Sequence, residues 1–186
     1  MINKNTSLRM QSIVFIGFMG VGKTTIGQKV ARKLYRDFID IDQEIEKEFN
    51  MPTTEIFKKF GEKAFSRKKK KSVIESLSQQ QLKIISVGGG AFLQEDIRNI
   101  CLSNCIVFYL DLSWEYWKER IGLLIDSRPV LQSRSLEEIE ELFYTRQEIY
   151  SYHHSKVNTN DLDVDEVADF IVDSLKVAWD IYEPLK

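Results

Sequence analysis

The sequence predicts an α/β protein of three layers, in which helices wrap both faces of a parallel sheet of about five strands. Three observations predict it. Short apolar runs alternate with amphipathic stretches from residue 13 to about residue 181. The best runs, Ile13-Val14-Phe15-Ile16 and Cys105-Ile106-Val107-Phe108-Tyr109-Leu110, are continuously apolar, as strands buried on both faces are. Glycine-rich and carboxylate segments fall just after strands, where open parallel sheets bind ligands.

Taken in order, the first strand is residues 13–16. A helix over 25–35 follows, with Ile26, Val30, Ala31 and Leu34 on one face. Residues 38–41 form a short strand. Helical segments cover 43–49, 54–60 and 61–80, and an apolar strand at 83–87 ends in Gly88-Gly89-Gly90. A helix over 94–102 leads into the strand at 105–110. Ser113 is placed to cap a helix reaching Arg120. Residues 123–135 contain Arg128-Pro129 and Arg134 without a clean period, and read as a loop-rich lid. A helix over 136–152, a strand around 156–158 and a closing helix over 164–181 complete one domain, residues 12–182. Residues 1–11 are polar and read as a loose arm.

The chain has 186 residues, 43% of them apolar, and a formal net charge of −2. That is enough apolar content for a core. The charge argues against nucleic acid or a membrane surface as the main partner. No apolar run is long enough to span a bilayer, and the N-terminus has no signal-peptide core, so a cytoplasmic protein is expected. Cys101 and Cys105 have no companions for a zinc site and read as reduced, buried thiols. His153-His154 reads as a solvent-facing pair near a helix end.

Chemistry enters at residues 17–24, Gly17-Phe18-Met19-Gly20-Val21-Gly22-Lys23-Thr24, a full match to the Gly-x-x-x-x-Gly-Lys-Ser/Thr phosphate loop between a strand and a helix. Glycines let backbone N–H groups curl around a phosphate, and the new helix points its positive end at the same anion. Gly20, Val21, Gly22, Lys23, Thr24 and Thr25 are the expected nucleotide-binding residues. Lys23 would reach the β- and γ-phosphates and Thr24 would ligate Mg²⁺. ATP or GTP binding follows.

Three further features bear on the fate of the γ-phosphate. Asp40 and Asp42 end the second strand and, two apart, would face the same side. Phosphoryl transfer to a hydroxyl needs a group that orients the acceptor and a carboxylate that holds Mg²⁺, directly or through water. A helix cap is the competing role for one of the pair. Gly88-Gly89-Gly90 fits close approach of a ligand to backbone. Arg128 in the lid and Arg146 in the following helix are cations suited to phosphate and to a substrate anion.

The ordered set of motifs resembles the shikimate kinases, and the resemblance covers residue 13 to about residue 160. It rests on the phosphate loop with Thr25-Ile26-Gly27, on Phe38-Ile39-Asp40-Ile41-Asp42, and on Ile56-Phe57 with Gly61-Glu62 and Phe65. It continues through Val87-Gly88-Gly89-Gly90-Ala91, Arg128-Pro129-Val130-Leu131, and Arg146 with Tyr150. The resemblance implies a P-loop kinase of the nucleoside-monophosphate-kinase-like fold. Its reaction would be Mg²⁺- and ATP-dependent phosphorylation of the 3-hydroxyl of shikimate, within aromatic amino acid biosynthesis. It further implies that Asp42 holds substrate hydroxyls and takes the proton, and that Asp40 places Mg²⁺. The backbone around Gly88, Gly89 and Gly90 would contact shikimate, Arg146 would pair with its carboxylate, Arg128 would close over the phosphates, and Arg120 would lie near adenine. A monomer is expected.

One departure stands out. The family has an arginine after the phenylalanine matching Phe65, and a glutamate three positions later; this chain has Ser66 and Lys69. Arg67 is adjacent, but one helical step rotates a side chain by about 100°. Losing a charged hydrogen bond of about 1.5–3 kcal/mol would weaken binding or turnover roughly 10- to 150-fold. Three readings stay open: Arg67 or a lysine substitutes, the enzyme is slow or takes another small metabolite or nucleotide, or the chain is a nucleotide-binding module. The basic run at 67–71 reads as a solvated helix face.

Overall fold

The structure is a computed structural model that describes residues 7–52, 55, 65–125, 131, 132 and 134–183. Its sheet has five strands: β1 (Ile13–Ile16), β2 (Asp37–Asp40), β3 (Lys83–Ser86), β4 (Ile106–Asp111) and β5 (Ser155–Asn158). Their order is β2-β3-β1-β4-β5 and every pair is parallel. All four residues of β1 and the middle four of β4 are buried. Successive strand residues point to opposite faces, so burial of every one means that both faces are covered.

The helices are α1 (Lys23–Leu34), α2 (Ile41–Phe49), α3 (Phe65–Ser78), α4 (Gly89–Phe92), α5 (Glu95–Asn104), α6 (Trp114–Lys118), α7 (Ile121–Leu124), α8 (Leu136–Tyr150) and α9 (Val164–Tyr182). Helix α1 packs against α9, and α3 packs against α2 and α5. A Cβ at Gly27 would come within 2.5 Å of the Phe38 ring. That close approach seats α1 against β2. Helices α8 and α9 each start with a capping box, Ser135 with Glu138 and Asp163 with Glu166.

Several boundaries differ from expectation for identifiable reasons. The strand expected at 38–41 ends at Asp40, and Ile41 already opens α2 because the Asp40 side chain caps it. The strand expected at 83–87 ends at Ser86, and the last two glycines of the run that follows, Gly89 and Gly90, start α4. The helix expected to run from Ser113 to Arg120 stops at Lys118, and Ser113 makes no side-chain cap bond. Arg120 instead precedes the separate short helix α7, which occupies the start of the expected lid. The rest of the lid at 126–130, like the helix at 54–60 apart from Glu55, lies outside the described residues.

Residues 7–11, expected to be part of a loose arm, are fastened to the far end of the chain. Glu183 accepts from the Leu8 N–H at 2.7 Å, from the Arg9 N–H at 3.2 Å and from the Ser7 hydroxyl at 2.5 Å. Arg9 reaches Asp180 at 2.9 Å, and the Arg9 and Arg36 guanidinium groups lie 5.6 and 5.4 Å from the Trp179 ring centre.

Of the histidine pair expected to face solvent, His154 is exposed but also tied to the sheet, and His153 is half-buried. The His154 N–H donates to Val107 O at 2.9 Å, and its Nδ1 accepts from the Val107 N–H at 3.0 Å. An imidazole thus stands in for a strand carbonyl just before β5, which requires the neutral ring with its proton on Nε2. Partial loss of hydration at this contact holds the His154 pKa below the usual value although the residue is exposed, and His153 is lowered by partial burial and by Lys156. A histidine lowered on folding contributes stability that is complete above the unfolded pKa near 6.5 and lost as pH falls through the folded value. Urea midpoints should therefore fall from pH 7.5 to pH 5, and His154→Ala should flatten that fall. An equal slope in the variant would remove His154 from the account.

Candidate active site

The phosphate loop leaves the carboxyl end of β1, the central strand, where the sheet's connections depart to opposite sides. Gly17, Gly20 and Gly22 adopt φ values of 145°, 77° and 97°, a region that other residues enter at a cost. A Cβ on Gly17 would lie 2.7 Å from Leu110 O, so this turn also needs the bare backbone for space. Trp117 packs beneath the loop, with its ring 5.0 Å from that of Phe18, and its indole N–H donates to Met19 O at 2.6 Å.

A cleft of about 270 Å³ opens at this end of the sheet. It is lined by the expected Gly20, Gly22, Lys23, Thr24, Thr25, Asp40, Asp42 and Gly88, together with Met19 and Ser86. Lys23 is only 8% exposed, and its ammonium donates to Gly17 O and Phe18 O at 2.9 Å each. Two of its three donors therefore hold it against the loop that is to receive phosphate.

Thr24 Oγ1 donates to Asp40 Oδ2 at 2.8 Å, while Asp40 Oδ1 accepts from the Asp42 N–H at 3.0 Å. Asp40 therefore takes the helix-cap role weighed for it, capping α2 with one oxygen, and accepts from Thr24 with the other. Among the described residues no group of three or more histidine, cysteine, aspartate or glutamate side chains gathers to hold a metal. A hydroxyl and one carboxylate still fit Mg²⁺, a hard cation that keeps most of its waters and takes phosphate oxygens as ligands.

Asp42 reaches the same cleft by a different route from that expected. It sits in the first turn of α2, not on a strand end. Its carboxylate lies across Gly88, where an added Cβ would be 2.5 Å from Oδ2 and 3.1 Å from both Cγ and Oδ1. The first glycine of the run is thus explained by Asp42. Gly90 has nothing within 4 Å of its missing Cβ, which leaves its backbone open to approach, and Gly89 begins α4. Gly88→Ala should displace the Asp42 carboxylate and lower kcat roughly 10- to 100-fold, with ADP affinity unchanged. Normal kcat in that variant would show that Asp42 need not sit against Gly88.

The remaining candidates are placed less directly. Arg120 Nη1 donates to Gly20 O at 3.3 Å, so it touches the loop itself rather than standing apart from it. The Arg146 guanidinium lies 5.5 Å over the Phe18 ring, and its Nε is buried without a hydrogen-bond partner. It reaches the loop from α8, behind Phe18. Arg128 and Val130 lie outside the described residues, as do the side chains of Ser66, Arg67 and Lys69 at the start of α3. Sequence reasoning missed Ser86, Met19 and Trp117. Ser86 carried a signal, since it ends the strand before the glycine run. Trp117 carried none beyond being apolar.

Known proteins match this geometry. The shikimate kinase family profile matches residues 19–176. The shikimate kinase of Oceanobacillus iheyensis is 61% identical over 177 residues, covering 95% of this chain and 96% of that protein. That of Bacillus subtilis is 58% identical over 178 residues, covering 96% of each. The solved structure of a shikimate kinase from Acinetobacter baumannii in complex with shikimate aligns with a TM-score of 0.83 at 30% identity, covering 91% of this chain and 94% of that one. With its phosphate loop, its parallel sheet and the Asp40 and Asp42 carboxylates beside that loop, the chain belongs to the shikimate kinase family of ATP-dependent kinases.

Proposed function

We propose that this protein transfers the γ-phosphoryl group of ATP to the 3-hydroxyl of shikimate, with Mg²⁺ held by Thr24 and, through water, by Asp40. The observation that carries the reading is the Asp42 carboxylate, set against Gly88 in the same cleft as Lys23. Asp42 orients the acceptor hydroxyl and takes its proton as that oxygen bonds to the γ-phosphorus. The bond between γ-phosphorus and the β–γ bridging oxygen breaks, and ADP leaves with that oxygen. Bound Mg²⁺ would supply charge neutralisation across the phosphates. Lys23 and the loop N–H groups of Gly20, Val21 and Gly22 stabilise negative charge on the transferring group. Arg128 closes over the phosphates, Arg120 stands at the nucleotide's base, and Arg146, with Arg67 replacing the residue at Ser66, meets the substrate carboxylate. In this reading the protein acts as a monomer. The buried, unbridged Cys101 and Cys105 support a cytoplasmic setting.

ADP release from Mg²⁺-ATP, measured with shikimate, gluconate, a nucleoside monophosphate or no acceptor, tests the reading. Shikimate alone should raise the rate above background. Stimulation by another acceptor and not by shikimate would overturn the substrate assignment, and no stimulation by any would overturn acceptor phosphorylation.

A further inference from the structure

The phosphate loop has to present its backbone N–H groups to the nucleotide, which requires its carbonyls to point the other way. Within a planar trans peptide the C=O of one residue and the N–H of the next point in opposite directions. Fixing the Met19 carbonyl therefore fixes the direction of the Gly20 N–H. Glycine's own torsions do not supply this, because Gly20, with φ at 77°, belongs to the residue type least restricted by sterics.

The Met19 carbonyl is held by the Trp117 indole N–H, which donates to it at 2.6 Å. Trp117 is completely buried. Its ring stacks on Trp114 at 5.4 Å and meets Phe18 edge-on at 5.0 Å, so the donor is rigidly seated under the loop. Tryptophan has a single polar atom, a donor with no acceptor capacity, and here it goes to the loop. Any apolar side chain could fill the volume, but none could hold a carbonyl.

We propose that Trp117 is a positioning residue for nucleotide binding: its indole N–H turns the Met19–Gly20 peptide so that the Gly20 N–H faces the ATP phosphates. The assignment rests on the reading of this cleft as an ATP site, but not on shikimate being the acceptor.

The test has two parts. Trp117→Phe keeps a buried ring and removes the donor. One neutral hydrogen bond lost from the bound geometry should raise KM for ATP and the Kd of ADP about 2- to 12-fold. KM for the acceptor should not move, a split that a general loss of packing would not produce. Unchanged ADP affinity in a folded Trp117→Phe protein would overturn the proposal, as would equal rises in both KM values. Should that variant fail to fold, the native protein serves with ¹⁵N-labelled tryptophan. The Trp117 indole N–H should exchange slowly with solvent, and its resonance should shift on adding ADP while that of Trp179 stays in place. An indole signal that exchanges freely or ignores ADP would overturn the assignment. Since ADP binding is read without any acceptor, failure of the shikimate assignment leaves these outcomes unaffected.

Discussion

Lys23→Met should lower kcat at least about 100-fold while the protein still folds. Lys23 is buried, and its ammonium is held between Gly17 O and Phe18 O, so it is preorganised at the mouth of the loop. Charge in such a site acts strongly on charge developing in the transition state, because little reorganisation accompanies the reaction. Methionine keeps most of the volume and removes the charge and all three donors. The two loop carbonyls then lose a partner, at about 1–3 kcal/mol for each that is left unsatisfied. Two readouts separate the consequences. Thermal unfolding reports the carbonyls, and single-turnover transfer at saturating ATP reports the charge. A kcat within tenfold of the native value would remove Lys23 from the transition state.

Asp42→Asn should lower kcat by a similar factor, at least about 100-fold, for a different reason. Asparagine is nearly the same shape and keeps the close seat against Gly88, but it cannot accept a proton from the acceptor hydroxyl. The Thr24–Asp40 pair, 2.8 Å long, is untouched, so nucleotide affinity should hold. The measurement is acceptor-stimulated ADP release beside ADP binding by titration. Full stimulation in the variant would exclude Asp42 as the base. Loss of ADP binding would move Asp42 to the nucleotide side of the cleft.

Much of this site was legible because a phosphate loop is a local device. Its glycines, lysine and threonine must be adjacent in sequence to curl around one anion, so a pattern of eight residues carries the geometry. The sheet was legible for the same reason, each buried strand being a short apolar run. Strand alternation misplaces Asp42, however. It puts that residue beside Asp40 on a strand end, whereas Asp40 followed three residues later by Gln43 is the signature of a helix start. Gln43 indeed donates its N–H to the Asp40 side chain at 3.4 Å. Contacts made by distant segments left no such mark. Met19 and Trp117 are 98 residues apart, and His154 meets Val107 across 47. Whether an indole or imidazole nitrogen finds a backbone partner depends on how the elements pack, which periodicity does not encode.

The carboxylate of Glu183 clasps residues 175 positions earlier, at Leu8. A contact of that span sets an order of events during synthesis. Translation proceeds from the N-terminus, and domains that close early in the chain fold while still attached to the ribosome. The Leu8 and Arg9 amides gain this partner only when Glu183 has emerged. All five strands, the last ending at Asn158, have therefore been synthesised before the turn at residues 7–10 can be fastened, and the clasp at Glu183 closes only on a chain whose sheet segments are all present.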